Sequence, residues 1–428
     1  MIFSIDTFSL VSSASVFALT LAATLTDVFL TKPKITDSPS DTQAHAISTP
    51  DAAEQTTNTD PTKAETPEGV IEDAVEVEQS NSTYPDEVAV DYPPVSIIIT
   101  PHENAYELER NLPLLLEQDY PAPFKVIVVF WRGESETDDI LKKYTANPHL
   151  YSTYIPESSR YMSRKKLAIT VGEKASETEW LLLTDITCQP QSKYWLRAMA
   201  RHASSTHNLV IGHTRYDEDT PPFRRFLRTY TSLYLMKETE RGTAYRCEGN
   251  ALMMRRSEFE ERDGFRSNLK YLRGEYDFTV NECARPGGTA YENSQEGTLV
   301  EQNPTDKAWR NKLLYYMEDR QHMMRTVAHR WRYNLCQIFL HLSVVSLLTT
   351  LTVGVITQRW LLVAVSALLI MVMIVLRTWL GCRILRCINE PLPAWCIFPY
   401  ELRLLWHHIA LVIRYWRANK EDFITHKV

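Results

Sequence analysis

The chain has 428 residues, 44% of them hydrophobic, enough for one large domain or two ordinary ones built around a real core. Its formal net charge of −7 is unevenly placed: of 53 acidic and 46 basic residues, fourteen acidic and one basic (Lys63) fall in residues 37–91, so the remainder is mildly basic, 39 against 45. The basic residues crowd toward the carboxyl end without forming a stripe, which excludes a nucleic-acid partner and favours a lipid bilayer as the anionic surface. The seven cysteines are scattered with no CxxC, which excludes a disulfide framework or zinc site and fits a reduced compartment.

In chain order, Phe8 to Leu30 is apolar despite Asp27, has no basic residue before it and no clear cleavage site after it, so it reads as a membrane span rather than a secretory signal. Lys32 and Lys34 follow directly and by the positive-inside rule place the next segment in the cytoplasm. Residues 1–32 are thus an anchor. Residues 33–92, rich in Thr, Ala, Pro, Asp, Glu and Ser with no aromatic before Tyr84, are expected to be a disordered acidic linker, because they cannot bury enough apolar surface to offset chain entropy.

Order begins at Pro93-Pro94 and a soluble domain is expected over 93–330. Val95 to Ile99 reads as a buried strand, Tyr106 to Glu117 as a helix with Leu108, Leu112, Leu115 and Leu116 on one face, and Lys125 to Phe130 as a second buried strand. A helix from Lys165 to Ala175 then leads into the strand Trp180 to Thr184. Strand, helix, strand at this spacing implies an α/β fold with a mostly parallel sheet flanked by helices, in which ligands sit beyond the carboxyl ends of the strands. The segments after Thr100, after Phe130 and after Thr184 are therefore where chemistry is expected. Basic residues opening a helix, Lys165 and Lys166, can bring positive charge to a diphosphate there. Tyr216-Asp217-Glu218-Asp219 reads as an exposed acidic turn.

Beyond the domain, Leu335 to Ile356 and Leu361 to Leu380 are each long enough to span a bilayer, broken only at Gln358-Arg359-Trp360, and predict a transmembrane hairpin over 335–380. Residues 381–428 continue with Glu401 to Trp416, where Leu and Trp alternate with Arg403, His407, His408 and Arg414 as in an interfacial amphipathic helix. Arg377, Arg383, Arg386, Arg403, Arg414 and Arg417 surround the exit of the hairpin while its outer turn carries Arg359 alone, which again puts the domain and the carboxyl end on the cytoplasmic face, at the inner membrane. Three spans leave no bundle for a transporter site at the bilayer midplane.

The phrases VSIIITPHENAYELERNLPLLLEQDYP, KVIVVFWRGESETDDIL, SRKKLAITVGEKA, EWLLLTDITCQPQSKYWLRAM, GNALMMRRSEFEERDGF and LRGEYDFTVNECA, in this order and spacing, resemble the family-2 glycosyltransferases, in particular the membrane-anchored bacterial branch with a carboxyl-terminal transmembrane hairpin. The resemblance spans roughly Pro94 to Trp416. It implies a GT-A fold, a nucleotide-diphosphate sugar donor, a divalent cation (Mg2+ or Mn2+) on the diphosphate and an inverting transfer to a lipid-linked or cell-envelope glycan.

Carried onto this chain, it puts Thr100, Pro101, His102 and Glu103, with Glu134, against the nucleotide, Lys165 and Lys166 near the diphosphate, and Asp185 with Thr187 on the metal. Glu275 stands where the base is expected, with Asp277 two residues on. Gly249 and Asn250 line the sugar and acceptor pocket, and Arg330-Trp331 matches the end of the QxxRW motif of processive relatives, with Val327 at the Gln position. Three departures remove carboxylates: the second strand ends Phe130-Trp131-Arg132-Gly133-Glu134 without an Asp, the DxD position reads Asp185-Ile186-Thr187, and a run of aspartates becomes Glu275-Tyr276-Asp277. Two readings follow, an inverting transferase or a catalytically degenerate scaffold subunit with envelope-assembly protein partners.

Overall fold

A computed structural model describes residues 7–34, 92–155 and 163–424. The acidic linker expected over 33–92 falls almost wholly outside the described residues. Helix α1 (Thr7–Leu25) precedes the linker in the chain. The α/β body then alternates β1 (Val95–Ile99), α2 (Ala105–Leu116), β2 (Phe124–Trp131), α3 (Ser135–Lys143), β3 (Leu150–Ile155), α4 (Arg164–Ala175) and β4 (Trp180–Thr184). The four strands are parallel, with Val95 opposite both Phe124 and Trp180.

Strands buried on both faces read as near-continuous apolar runs, and β1, apolar except for the hydrogen-bonded Ser96, shows why. Val95, Ile97 and Ile99 enter one core with Leu108, Leu112 and Leu115 of α2, while Ile98 enters the opposite core with Ala168 and Ile169 of α4. Ser163 caps α4 by accepting from the Lys166 amide at 3.4 Å.

The sheet is completed by β6 (Leu209–Gly212), β8 (Ala251–Arg255) and β9 (Thr289–Glu292), in the order β3-β2-β1-β4-β8-β6-β9, with β8 antiparallel to both neighbours. A second sheet sets β10 (Leu299–Glu301) between β5 (Cys188–Pro190) and β7 (Thr214–Tyr216). The remaining helices of the body are α5 (Trp195–Ala200), α6 (Pro222–Arg241), α7 (Arg256–Glu261), α8 (Glu275–Cys283) and α9 (Asp306–Asp319).

Three further helices follow, α10 (Thr326–Ile356), α11 (Trp360–Cys387) and α12 (Ala394–Arg417). With α1 they make four helices, among the described residues, long and apolar enough to cross a membrane. The expected hairpin is α10 and α11, both longer than the apolar runs that predict them. The segment expected at the interface, Glu401 to Trp416, is the later part of α12, the least apolar of the four; the helix starts earlier, after Pro393, and accommodates Pro399. Val11, Val345, Leu368 and Val375 point outward and are more than half exposed, an apolar belt that lipid would cover.

Inside this bundle Arg377 is fully buried. Its Nε and Nη2 each donate to the Glu401 carboxylate at 2.8 Å, Nη2 lies 3.4 Å from Asp27, and Nη1 donates to the Ala23 carbonyl at 3.0 Å. Counted from sequence among the cations around the membrane exit, Arg377 is instead the centre of an ion cluster joining α1, α11 and α12. The close approach of α11 and α12 depends on Gly381, where a Cβ would stand 2.6 Å from Ile397 Cγ2. The bundle rests on α6: Phe226, Tyr230 and Leu233 pack with Phe29, Leu380, Ile384 and Ile397.

Candidate active site

Because β1, β2 and β4 are parallel, their carboxyl ends open on one edge of the sheet. Thr100 and Pro101 carry the chain off β1 to His102, whose Nδ1 lies 2.7 Å from Glu134 Oε1 just past β2. Arg164 Nη1 lies 2.9 Å from the other ring nitrogen, Nε2. Arginine can only donate, so Nε2 accepts and the imidazole proton on Nδ1 goes to Glu134. Arg164 also stacks over Trp131, 5.0 Å to its centroid. Glu103 holds φ at 58°, an uncommon left-handed backbone for a residue other than glycine. The five sequence-predicted residues Thr100, Pro101, His102, Glu103 and Glu134 thus share one corner of the edge, and Arg164 and Trp131 join them.

Beside it, between the sheet edge and α12, lies a cavity of about 630 Å³. The register Thr184 opposite Ala251 sets Gly249 and Asn250, entering β8, next to Asp185, leaving β4. Asp185, Thr187, Gly249, Asn250 and Arg330 all line the cavity. Lys165 lines it too and donates to Asp185 Oδ2 at 2.6 Å, with its ammonium 5.0 Å from the Tyr276 ring centroid. Burial opposes the Lys165 charge, but Asp185, Tyr276 and Glu275 outweigh it and hold the group above the ordinary lysine range.

Two predicted residues stand apart. Lys166 is buried and donates to the carbonyls of Asn268 and Tyr271 at 2.6 and 2.8 Å, so it braces the loop before α8 instead of facing the diphosphate position; burial lowers its pKa to about 8. Trp331 is 62% exposed and is not part of the cavity wall.

The floor of the cavity was not anticipated. In the second sheet Glu301 lies opposite both Cys188 and Tyr216. Its carboxylate accepts from Arg228 of α6, from Asn250 Nδ2 at 3.0 Å and from Lys312 Nζ at 3.3 Å. Burial would raise the Glu301 pKa, but Arg228 and Lys312 pull it down to about 2. In the predicted acidic turn Glu218 and Asp219 are exposed, while Asp217 accepts from Thr220 Oγ1 at 2.6 Å and from the Asn303 amide at 2.9 Å.

Three carboxylates meet at the start of α8. Gly274 makes this possible, since its φ of 86° is left-handed and a Cβ there would stand 2.8 Å from Asp319 Oδ2. Glu275 is buried, lines the cavity and has one oxygen, Oε1, with no hydrogen-bond partner among the described residues. Asp277 is held: Oδ1 accepts from the Cys247 amide at 3.1 Å and Oδ2 faces Arg246 at 3.4 Å. Burial raises Asp277 to about 6 against the pull of Arg246.

Burial, with Asp277 adding and Lys166 opposing, raises Asp319 to about 8. A carboxyl group whose folded value lies above its unfolded one contributes stability that is complete below the unfolded value near 4 and is lost as pH rises through the folded value near 8. Asp319→Asn is therefore expected to melt several degrees above the wild type at pH 8.5, with the gap closing toward pH 4. A gap that did not change with pH would show that the charge at Asp319 is not its source.

The donor set does not fit the divalent cation expected at Asp185 and Thr187. It offers one carboxylate and one neutral hydroxyl, and that carboxylate already takes an ammonium at 2.6 Å. A divalent ion on the same carboxylate, roughly 4 Å from Lys165 Nζ, would meet a repulsion on the order of 8 kcal/mol at an effective dielectric near 20. Glu301, the other acid near Cys188, is taken up by Arg228, Asn250 and Lys312. No cluster of three His, Cys, Asp or Glu side chains suited to a metal occurs among the described residues.

No protein-family model matches the chain. A search of curated proteins returns no match. Among solved structures, the chain is similar to the mannosyltransferase PcManGT from Pyrobaculum calidifontis in complex with GDP-Man and Mn2+, at 15% identity and a TM-score of 0.46, covering 84% of this chain and 96% of that one. It is also similar to residues 1–349 of TarS from S. aureus, at 15% identity and a TM-score of 0.37 over 57% of this chain and 70% of that one. The same TarS segment in complex with UDP-GlcNAc gives 13% identity and a TM-score of 0.38, covering 57% and 71%. Likeness this distant leaves the chemistry to be argued from this chain's own residues.

Proposed function

We propose that this protein is an inverting glycosyltransferase of the family-2 type that moves a sugar from a nucleotide-diphosphate donor to a lipid-linked or envelope glycan acceptor at the cytoplasmic face of the inner membrane. The observation that carries the reading is Glu275, a buried carboxylate with an unpartnered oxygen in the wall of a cavity that also holds Asp185 and Lys165 at the ligand-binding edge of the sheet. In the proposed step the acceptor oxygen attacks the anomeric carbon and its proton passes to Glu275. The bond from that carbon to the diphosphate breaks, its electron pair leaving on the phosphate oxygen, and a single in-line displacement inverts the centre.

A membrane acceptor is supported by the other wall, where α12 supplies Leu404, His408 and Leu411 from a helix apolar enough to cross a bilayer. Lys32, Lys34, Arg383, Arg386 and Arg403, set against Arg359 alone at the far turn, support the cytoplasmic orientation. A second reading, a scaffold subunit binding envelope-assembly proteins, is favoured by one observation: the Asp185 carboxylate is already paired. Titration of the full chain in detergent with UDP and GDP separates the two. Saturable binding of either nucleotide is expected; a folded protein that binds neither would sink the transferase reading and leave the scaffold.

A further inference from the structure

Resting on the transferase reading, we infer that Lys165 takes the place of the divalent cation, so that the donor diphosphate is held by the protein's own ammonium without a metal ion. The pairing at 2.6 Å between Lys165 Nζ and Asp185 Oδ2 is the geometric basis. A site with two carboxylates and a divalent ion sums to zero charge. Here one carboxylate and one ammonium already sum to zero, and the neutral Thr187 at the second ligand position leaves no further carboxylate charge for a divalent ion to balance.

The placement suits the task. Lys165 lies on the first turn of α4, whose amino end points at the sheet edge where the diphosphate is expected, and helix amides there favour an anion. Its neighbour Lys166 is tied to two carbonyls and cannot substitute for it. Asp185 then acts as a positioning residue that holds the ammonium at the cavity wall, and the Tyr276 ring, 5.0 Å away, borders it on another side. Arg228 and Lys312, bound to Glu301 on the floor, add positive potential around the leaving group.

The test is calorimetric titration of the full chain in detergent with UDP and GDP, in MnCl2 and in EDTA, for the wild type, Lys165→Gln, Lys165→Arg and Asp185→Asn, with melting curves to confirm folding. The inference expects wild-type affinity to change by no more than about twofold between manganese and EDTA. Lys165→Gln should lose at least about tenfold while Lys165→Arg retains binding. Asp185→Asn is the decisive variant: it removes the carboxylate expected on the metal and loosens the ammonium that this carboxylate positions, so binding should weaken but stay the same in manganese and in EDTA. Binding that needs manganese and vanishes in folded Asp185→Asn would overturn the inference while leaving the transferase reading intact. Absence of nucleotide binding in every buffer would overturn both.

Discussion

Glu275→Gln is expected to lower sugar transfer by about 10² to 10⁴, the usual contribution of a positioned general base, while leaving nucleotide affinity unchanged. The substitution keeps the size and the hydrogen-bonding edge of the side chain and removes only its ability to take a proton. Asp277→Asn is the informative contrast. Asp277 already accepts from the Cys247 amide and faces Arg246, so its loss should lower the melting temperature and reduce transfer less steeply. The measurement is release of nucleotide diphosphate across a panel of donor sugars, with membrane lipid extract as acceptor. If Asp277→Asn abolished transfer and Glu275→Gln did not, the two residues would exchange roles.

The second large effect belongs to the ion cluster between the long helices. Arg377→Met is expected to cost about 3–5 kcal/mol, because it leaves Glu401 and Asp27, both fully or nearly fully buried, without their shared cation. Removing all three charges together, as Asp27→Leu, Arg377→Met and Glu401→Leu, should recover most of that loss, since a buried ion pair gains little over well-packed apolar residues. Thermal denaturation in detergent reads both. A triple variant as unstable as the single one would show that packing around Arg377, rather than its charge, holds the helices together.

What the sequence disclosed follows from how each feature is encoded. Parallel strands buried on both faces appear as continuous apolar runs, so Val95 to Ile99 and Trp180 to Thr184 could be placed to the residue, and with them the edge where Asp185 stands. The three-residue strands of the second sheet leave no periodicity to detect, so Glu301 stayed hidden. Helix α6 is legible in principle, since Phe223, Phe226, Tyr230 and Leu233 recur at helical spacing after Pro221-Pro222, although Arg224, Arg225 and Arg228 interrupt the apolar pattern.

Lys165 and Lys166 looked equivalent because adjacency in sequence hides the turn of about 100° between neighbours on a helix, which sends one to the cavity and the other to the core. Asp27, Arg377 and Glu401 lie far apart in the chain, and no local pattern pairs them.

Helix α6 is where the two halves of the molecule become one lever. Arg228 on one side of it is bonded to the cavity floor, and Phe226 and Tyr230 on the other side are wedged into the feet of the long helices. The cavity floor and the long helices are thereby tied to one another through a single helix, so a packing change at Phe226 or Tyr230 lies only two residues from the floor contact of Arg228.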